Sequence, residues 1–453
     1  MSIVRRPPCP SRPRQSGVAA MLILFVIAVV AISFLVNALK SSSSQTERDK
    51  ITAVSLAQAK AALIGFAASV DLSGCASTTD CARPGDLPCP DRHPSGSLLA
   101  GVSSTPCPAP ALGRLPWRTL GLPDLRDGYG ERLWYAVSNS FKNNTRALPL
   151  VPLNSDTQGT ISVRGPNGTT IANAAAGAGM AAVVISPGAA FTRQDGIVQD
   201  RSQAGYNNPI NYLDVDVSSG EDNRDYINGS LNGFIQGPIK TTSNSIILND
   251  TLITISRDDI MRVVEKRVAS EVRGALADYF AAYKYYPRPA KFSDGSCLGN
   301  ADLTPCGSDT SLNRGRIPAN PASASWDIAS ILRGSVSKNW FQQNGWREVI
   351  YYAVAPACTK DTPNCSGSGF LTVNAQPFPP LISQQVVLIA TGRALTYQDH
   401  GSSTNLAPKA LESNYLEDEN LTPLYDTYSL RPLSAATPFN DKLRCLPASP
   451  PQC

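Results

Sequence analysis

Residues Val18 to Leu39 contain no charged residue, no proline and no glycine. The 22 residues of this run match the ~20 that a helix needs to cross a bilayer core. Arg5, Arg6, Arg12 and Arg14 precede it, and no acid appears before Glu47. This asymmetry predicts a single-pass membrane helix with a cytoplasmic N-terminus. The remainder of the chain, more than 400 residues, then lies on the far side. Three readings are open for the segment. A cleaved signal ending near Val36-Asn37-Ala38 would have an apolar core longer than the usual ~7–15 residues. A plain signal anchor is the second. A leader cut just after Gly17 is the third.

Export constrains the cysteines. Of eleven, Cys9 precedes the apolar run, and the other ten fall into close pairs: Cys75/Cys81, Cys89/Cys107, Cys297/Cys306, Cys358/Cys365 and Cys445/Cys453. An even, locally paired set in an oxidising compartment predicts loop-stapling disulfides, with proximity as the only guide to connectivity. No metal site is expected from them, because there is no CxxC and only His93 and His400 could add nitrogen ligands. Net charge is +4, which the four leader arginines account for, so a nucleic-acid partner is not expected.

From Val18 to Ile64 there is neither proline nor glycine. At ~1.5 Å per residue this allows on the order of 70 Å of helix, with a weakly helical join at Lys40-Ser41-Ser42-Ser43-Ser44-Gln45. Past the join the pattern carries two apolar stripes. Ile51, Val54, Ala57, Ala61, Ile64 and Ala68 share one face; Leu56, Ala59, Leu63 and Phe66 share a nearly opposite one. A helix with two apolar faces has two partners, either a head and a neighbouring subunit or two sides of a single core.

Six blocks recur in the same order. Ala62–Ala68 parallels Ala275–Ala281, Gly113-Arg114-Leu115-Pro116 parallels Gly315-Arg316-Ile317-Pro318, and Gly130–Val137 parallels Trp346–Val354. Ile161–Val163, Val183–Gly188 and Asn211–Asp214 parallel Leu371–Val373, Val387–Gly392 and Asn414–Glu417. The exported part therefore reads as a tandem duplication of one helix followed by short strands. The second helix starts at an N-cap Ser256 with Asp258 and Asp259 behind it, and Tyr286-Pro287 is expected to end it. Its apolar face is Ile260, Val263, Val264, Val268, Val272, Leu276, Tyr279, Phe280 and Tyr283. Strands are expected at 133–137, 161–163, 182–186, 246–255, 349–354, 370–373 and 385–390.

The junction Arg14-Gln15-Ser16-Gly17-Val18-Ala19-Ala20 resembles the site cut by prepilin peptidases. Ala275-Leu276-Ala277-Asp278-Tyr279 with Tyr286-Pro287, and the turn Asp127–Tyr135, resemble the head motifs of type II secretion pseudopilins. The resemblance to type IV pilins and pseudopilins implies cleavage after Gly17, methylation at Val18, and an inner-membrane stem that packs with other pilin or pseudopilin subunits. One position departs from the pattern: the fifth mature residue is Leu22, where most pilins carry Glu. A subunit with no neighbour ahead of it has no use for that acid, so Leu22 marks either a tip or initiating subunit or an anchor outside the class.

The expected fold is α+β: a long N-terminal membrane-spanning helix followed by two tandem pilin-like helix-plus-antiparallel-sheet units. The divisions are a basic leader (1–17), a transmembrane helix (18–39), an amphipathic stem (40–70), two head units (71–255 and 256–440) and a Cys/Pro tail (441–453). No catalytic set converges in the sequence. His400 has Asp399 and Ser402 beside it but no counterpart in the first repeat, and no phosphate loop is present. Two acidic stretches stand out, Asp214–Asp225 and Glu417–Asn420. Oxygen-rich loops suit calcium, which the resemblance to major pseudopilins also implies; a solvated acidic loop is the other reading. The functional expectation is a structural, non-enzymatic envelope subunit. The alternative is a signal-anchored periplasmic enzyme or binding protein outside any filament.

Overall fold

A computed structural model describes residues 44–70, 83–94, 96–107, 110–142, 152–202, 206–224, 233–298, 311–318, 341, 344–375, 377–402, 405–423, 426–431, 439–447 and 453. The leader and membrane run, with Gly17 and Val18, and residues Cys75, Cys81 and Cys306 lie outside the described residues. The architecture is mixed α+β, with an apolar N-terminal helix and several small sheets.

Helix α1 (Ser44–Ser69) is long and apolar enough to cross a membrane by length and composition. One of its faces is nevertheless docked on protein. Leu56, Ala59, Leu63 and Ala67 are buried in the main core. Polar side chains fix the helix along its length. Thr52 Oγ1 accepts the Gly128 N–H at 3.0 Å, and Ser55 Oγ donates to the Arg126 carbonyl at 2.6 Å. Lys60 pairs with Asp259 at 2.9 Å and donates to the Thr254 carbonyl. At Gly128 the turn touches the helix backbone: a Cβ there would sit 2.3 Å from the Arg48 carbonyl oxygen. Gly128→Val should therefore cost about 1–3 kcal/mol by forcing helix and turn apart. Urea denaturation measures it, and unchanged stability would mean the helix is not held at this turn.

Two four-stranded antiparallel sheets share one strand order. The first contains β1 (Leu112–Arg114), β2 (Trp134–Val137), β3 (Ala182–Ser186) and β4 (Thr251–Ile255), neighbours in that sequence. Helix α2 (Arg257–Tyr283) follows β4 directly. The second sheet contains β5 (Arg314–Arg316), β6 (Ile350–Val354), β7 (Val386–Ala390) and β8 (Lys442–Leu446) in the same arrangement. Registers correspond: Arg114 faces Trp134 and Arg316 faces Tyr351. Each sheet also has a three-stranded satellite with one parallel pairing, Val163–Arg164 with Phe234–Ile235 and Leu371–Ala375 with Thr427–Leu430.

Period-two alternation gives the first sheet two buried faces. Tyr135, Val137, Ala182, Val184 and Ile255 join the main core with both helices; Leu112, Trp134, Ala136, Val183, Ile185 and Leu252 face a second core with Phe234 and Tyr212. Helix α2 packs on β7 and β8.

Several expected elements differ. The run 246–255 is two strands, Ile246–Leu248 and β4, broken at Asn249-Asp250. Residue 349 ends a helical turn, Trp346–Val349, and β6 starts at Ile350. Helix α2 has the expected Ser256 cap, reinforced by a reciprocal bond from Asp259, but stops at Tyr283 because Lys284 turns left-handed (φ 66°). Val263 and Tyr283 are exposed, while Met261, Glu265 and Ala269 are buried. The segment read as a tail opens with β8, paired to β7 along its whole length.

Candidate functional site

Three features carry chemistry or contact: the free face of α1, a pair of matching buried carboxylate networks, and a histidine tether between the two halves.

On α1 the two stripes part company. Leu56, Ala59 and Leu63 are buried and Phe66 half-buried, so this stripe is the docked one. Ile51 is 43% and Val54 49% exposed, Ala57 and Ala61 are exposed, and Ile64 and Ala68 are half-buried. An apolar helix face thus stands open beside a face already docked on the sheet.

The carboxylate networks lie where the sequence shows its acidic stretches. In the first half the Asp214 N–H donates to Asp250 Oδ2 at 2.8 Å. The N–H groups of Asn249 and Asp250 return to Asp214 Oδ2 at 2.7 and 3.2 Å. Gln199 holds Asp214 Oδ1 at 2.8 Å, and the Asn223 side-chain amide bridges Asp250 to the Ile235 carbonyl. The second half repeats every link. The Glu417 N–H donates to Asp441 Oδ2 at 3.2 Å, and Asn440 and Asp441 donate back to Glu417 Oε2 at 3.0 and 3.1 Å. Gln398 takes the place of Gln199, and Asn420 bridges Asp441 to the Ser429 carbonyl. Asp250 and Asp441 are fully buried, and the Oδ1 atom of each has no hydrogen-bond partner.

Such pairs resist full ionisation. Burial, and then the Asp214 carboxylate, push Asp250 well above the ordinary carboxylate range. Burial raises Asp214 to about 6. Asp441 is likewise raised by burial and by Glu417, and Glu417 by burial. Each network therefore suits a carboxyl pair of which one member keeps its proton, and the N–H bonds to the pair stitch a strand start to its preceding loop.

The other acids of these stretches are engaged with cations and amides. Glu221 pairs with Arg164 and accepts the Gly233 N–H; Asp222 holds Arg193 and Arg224; Asp418 and Glu419 hold Arg431. Asp216 accepts the Ser218 hydroxyl, and Asp225 lies outside the described residues. Among the described residues no group of three or more His, Cys, Asp or Glu is placed to hold a metal ion.

The carboxylate on His400 is not the adjacent Asp399 but Asp156, contributed by the first half. His400 Nδ1 lies 2.7 Å from Asp156 Oδ1, and its ring stacks on Tyr415 at 4.0 Å. Asp399 instead accepts the Gly401 N–H. A hydroxyl nucleophile would have to sit on Nε2, which is buried without a partner. Neighbouring residues add to the tether: Asp156 accepts the Ala394 N–H, and Asn154 donates to the Gly345 carbonyl. His93 lies far along the chain, its N–H on Asp91 and its carbonyl accepting from Asn207.

Cys89–Cys107, Cys358–Cys365 and Cys445–Cys453 are bridged, and Cys297 is disulfide-bonded. The last bridge ties the final residue of the chain to β8. Sequence reasoning missed Asp250 and Asp441. The signal was present as a seventh matching block, Asn249-Asp250-Thr251-Leu252 against Asn440-Asp441-Lys442-Leu443. Comparison with protein-family models, with curated proteins and with solved structures finds no match to this chain.

Proposed function

We propose that the chain is a structural subunit of an envelope filament, a minor pilin or pseudopilin, with two tandem pilin-like heads on a single membrane stem. The supporting observation is the open apolar face of α1. Ile51, Val54, Ala57 and Ala61 are exposed, and they follow the apolar run Val18–Leu39 after the polar join Lys40–Lys50. Docking on the head explains the opposite stripe, so the exposed one is left for neighbouring stems. The matching sheet order, satellites and carboxylate networks of the two halves favour duplication of one ancestral head. On this reading the subunit sits in the inner membrane of a bacterium with its N-terminus cytoplasmic. Prepilin peptidase cuts after Gly17, and Leu22 places the subunit at a tip or start of assembly.

Mass spectrometry of the mature amino terminus tests this. A chain beginning at methylated Val18 is the expected result. An intact leader, or a start near Leu39, would sink the filament reading and leave a signal-anchored periplasmic protein. A second measurement concerns the face itself. Val54→Cys should cross-link to another envelope subunit in membranes, whereas Leu63→Cys, facing the core, should not.

A further inference from the structure

We propose that a cavity between α2 and the second sheet binds an acidic turn of a partner protein, where the first half docks an acidic turn of its own. The site is independent of the filament reading. In the first half the turn Asp127–Gly130 lies between α1 and the end of β3. Asp127 Oδ2 accepts the Gly188 N–H at 3.0 Å and the Ser186 hydroxyl at 2.8 Å. Its Oδ1 accepts the Tyr129 and Glu131 N–H groups, which closes the turn. On the helix side the turn meets Gln45, Arg48 and Thr52. The Tyr129 hydroxyl donates to Gln45, the Arg48 guanidinium lies 5.0 Å from the Tyr129 ring, and Thr52 accepts the Gly128 N–H.

The second half has the socket but not the acid. Gly392 follows β7 as Gly188 follows β3, and both are left-handed, at φ 71° and 61°. Asn440 and Asn249 hold the next carbonyl in each. The Gly392 N–H, however, has no acceptor among the described residues. Counting back from the matched strands, Asn344 stands where Asp127 does, and its Oδ1 accepts the Leu153 N–H at 3.2 Å instead. The helix blocks Ala62–Ala68 and Ala275–Ala281 set Gln45, Arg48 and Thr52 against Asp258, Met261 and Glu265. Those three residues of α2 and Gly392 line one cavity of about 630 Å³. This lies within the ~300–1,000 Å³ range of ligand sites.

Charge selects the occupant. Arg262 and Lys266, exposed and one turn apart on α2, line the cavity and have no acidic partner among the described residues. The other cations of the lining are matched: Lys442 by Glu265, Arg393 by Asp258, and Arg431 by Asp418 and Glu419. Burial and Glu417 push the remaining acid, Asp441, toward its neutral form. Two uncommitted positive charges beside an open backbone donor suit carboxylates. Ala390 stands at the position of Ser186, so the hydroxyl bond has no counterpart and the cations take over its role. Met261, Leu395 and Phe439 add an apolar wall that a peptide turn can cover and a bare inorganic anion cannot.

The test uses the full-length chain in detergent micelles and a dye-labelled, end-blocked pentapeptide, Asp-Gly-Tyr-Gly-Glu, copied from residues 127–131. Fluorescence anisotropy reads binding. Saturation with a Kd on the order of 100 µM is expected. The same peptide with Asn in place of its Asp should bind about tenfold more weakly. Arg262→Gln combined with Lys266→Gln should weaken the parent peptide by about tenfold or more, with melting temperature unchanged because both side chains are exposed. No saturable binding would overturn the proposal. So would equal binding of the Asp and Asn peptides, displacement by inorganic phosphate at the peptide's own concentration, or a double variant that binds like the parent chain. The mature amino terminus is read separately, so this site and the filament reading fail independently.

Discussion

Replacing Lys442 with Met is expected to cost about 3–5 kcal/mol at pH 8 and far less at pH 5. Glu265 lies in the middle of α2 at 2% exposure. Its carboxylate receives the Lys442 ammonium from β8 and the Ser155 hydroxyl, at 2.7 Å, from the first half. One buried acid thus ties helix, second sheet and first half together. Burial raises the affinity of Glu265 for a proton, and Lys442 opposes that effect. Without Lys442 the carboxylate is stranded, and protonation is the cheapest remedy. A folded-state pKa raised above the unfolded value of ~4.3 contributes stability that is complete below that value and is lost as pH rises. The penalty should therefore grow with pH. Glu265→Gln combined with Lys442→Met should recover most of it, because no charge is then left unpaired. Urea denaturation at both pH values is the measurement, and an equal cost at pH 5 and pH 8 would remove Glu265 from the explanation.

The pair also shows where sequence reading reached its limit. Helix periodicity places apolar side chains against a surface, and for α1 it separates the docked stripe from the open one. For α2 the same periodicity puts Val263 on the buried face and Glu265 off it, whereas Val263 is exposed and Glu265 buried. Glu265 is buried because Lys442, 177 residues later, completes it, and no local pattern encodes that distance. Strand β3 was legible to the residue, since Ala182–Ser186 is apolar on both faces and buried on both. The stretch 246–255 was not: its apolar residues continue across Asn249-Asp250, and only the return bonds to Asp214 break the strand there. The networks were half visible. Asp214 and Glu417 stand in matching blocks of the sequence, but their partners Asp250 and Asp441 each sit one residue before a strand, where the pattern reads as mid-strand and as a Cys/Pro tail.

Asp250→Asn and Asp441→Asn together are expected to flatten the alkaline loss of stability. In each network Oδ2 of the buried aspartate accepts the bonds and Oδ1 has none, so an amide with its oxygen at Oδ2 stands in for the neutral acid at every pH. The native chain has no such freedom. Asp250, Asp214, Asp441 and Glu417 all have raised folded-state pKa values, so their contribution is complete below about pH 4 and is lost as pH rises. For Asp214 that loss passes through about pH 6. At ~1.4 kcal/mol per pKa unit, Asp214 alone, raised from 3.8 to about 6, should cost the native chain about 3 kcal/mol between pH 4 and pH 8. The acids whose pKa values are lowered work the other way. Asp259, held by the Ser256 amide and Lys60, contributes above pH 4, so the full profile is a balance. Comparison of variant with parent cancels that balance. The double variant should match the parent near pH 4 and exceed it by at least ~2 kcal/mol at pH 8. Leucine at the same sites should instead destabilise at all pH values, because Asp214, Glu417, Asn223 and Asn420 lose an acceptor they share. Parallel pH profiles for parent and asparagine variant would show that these carboxyl pairs do not hold a proton.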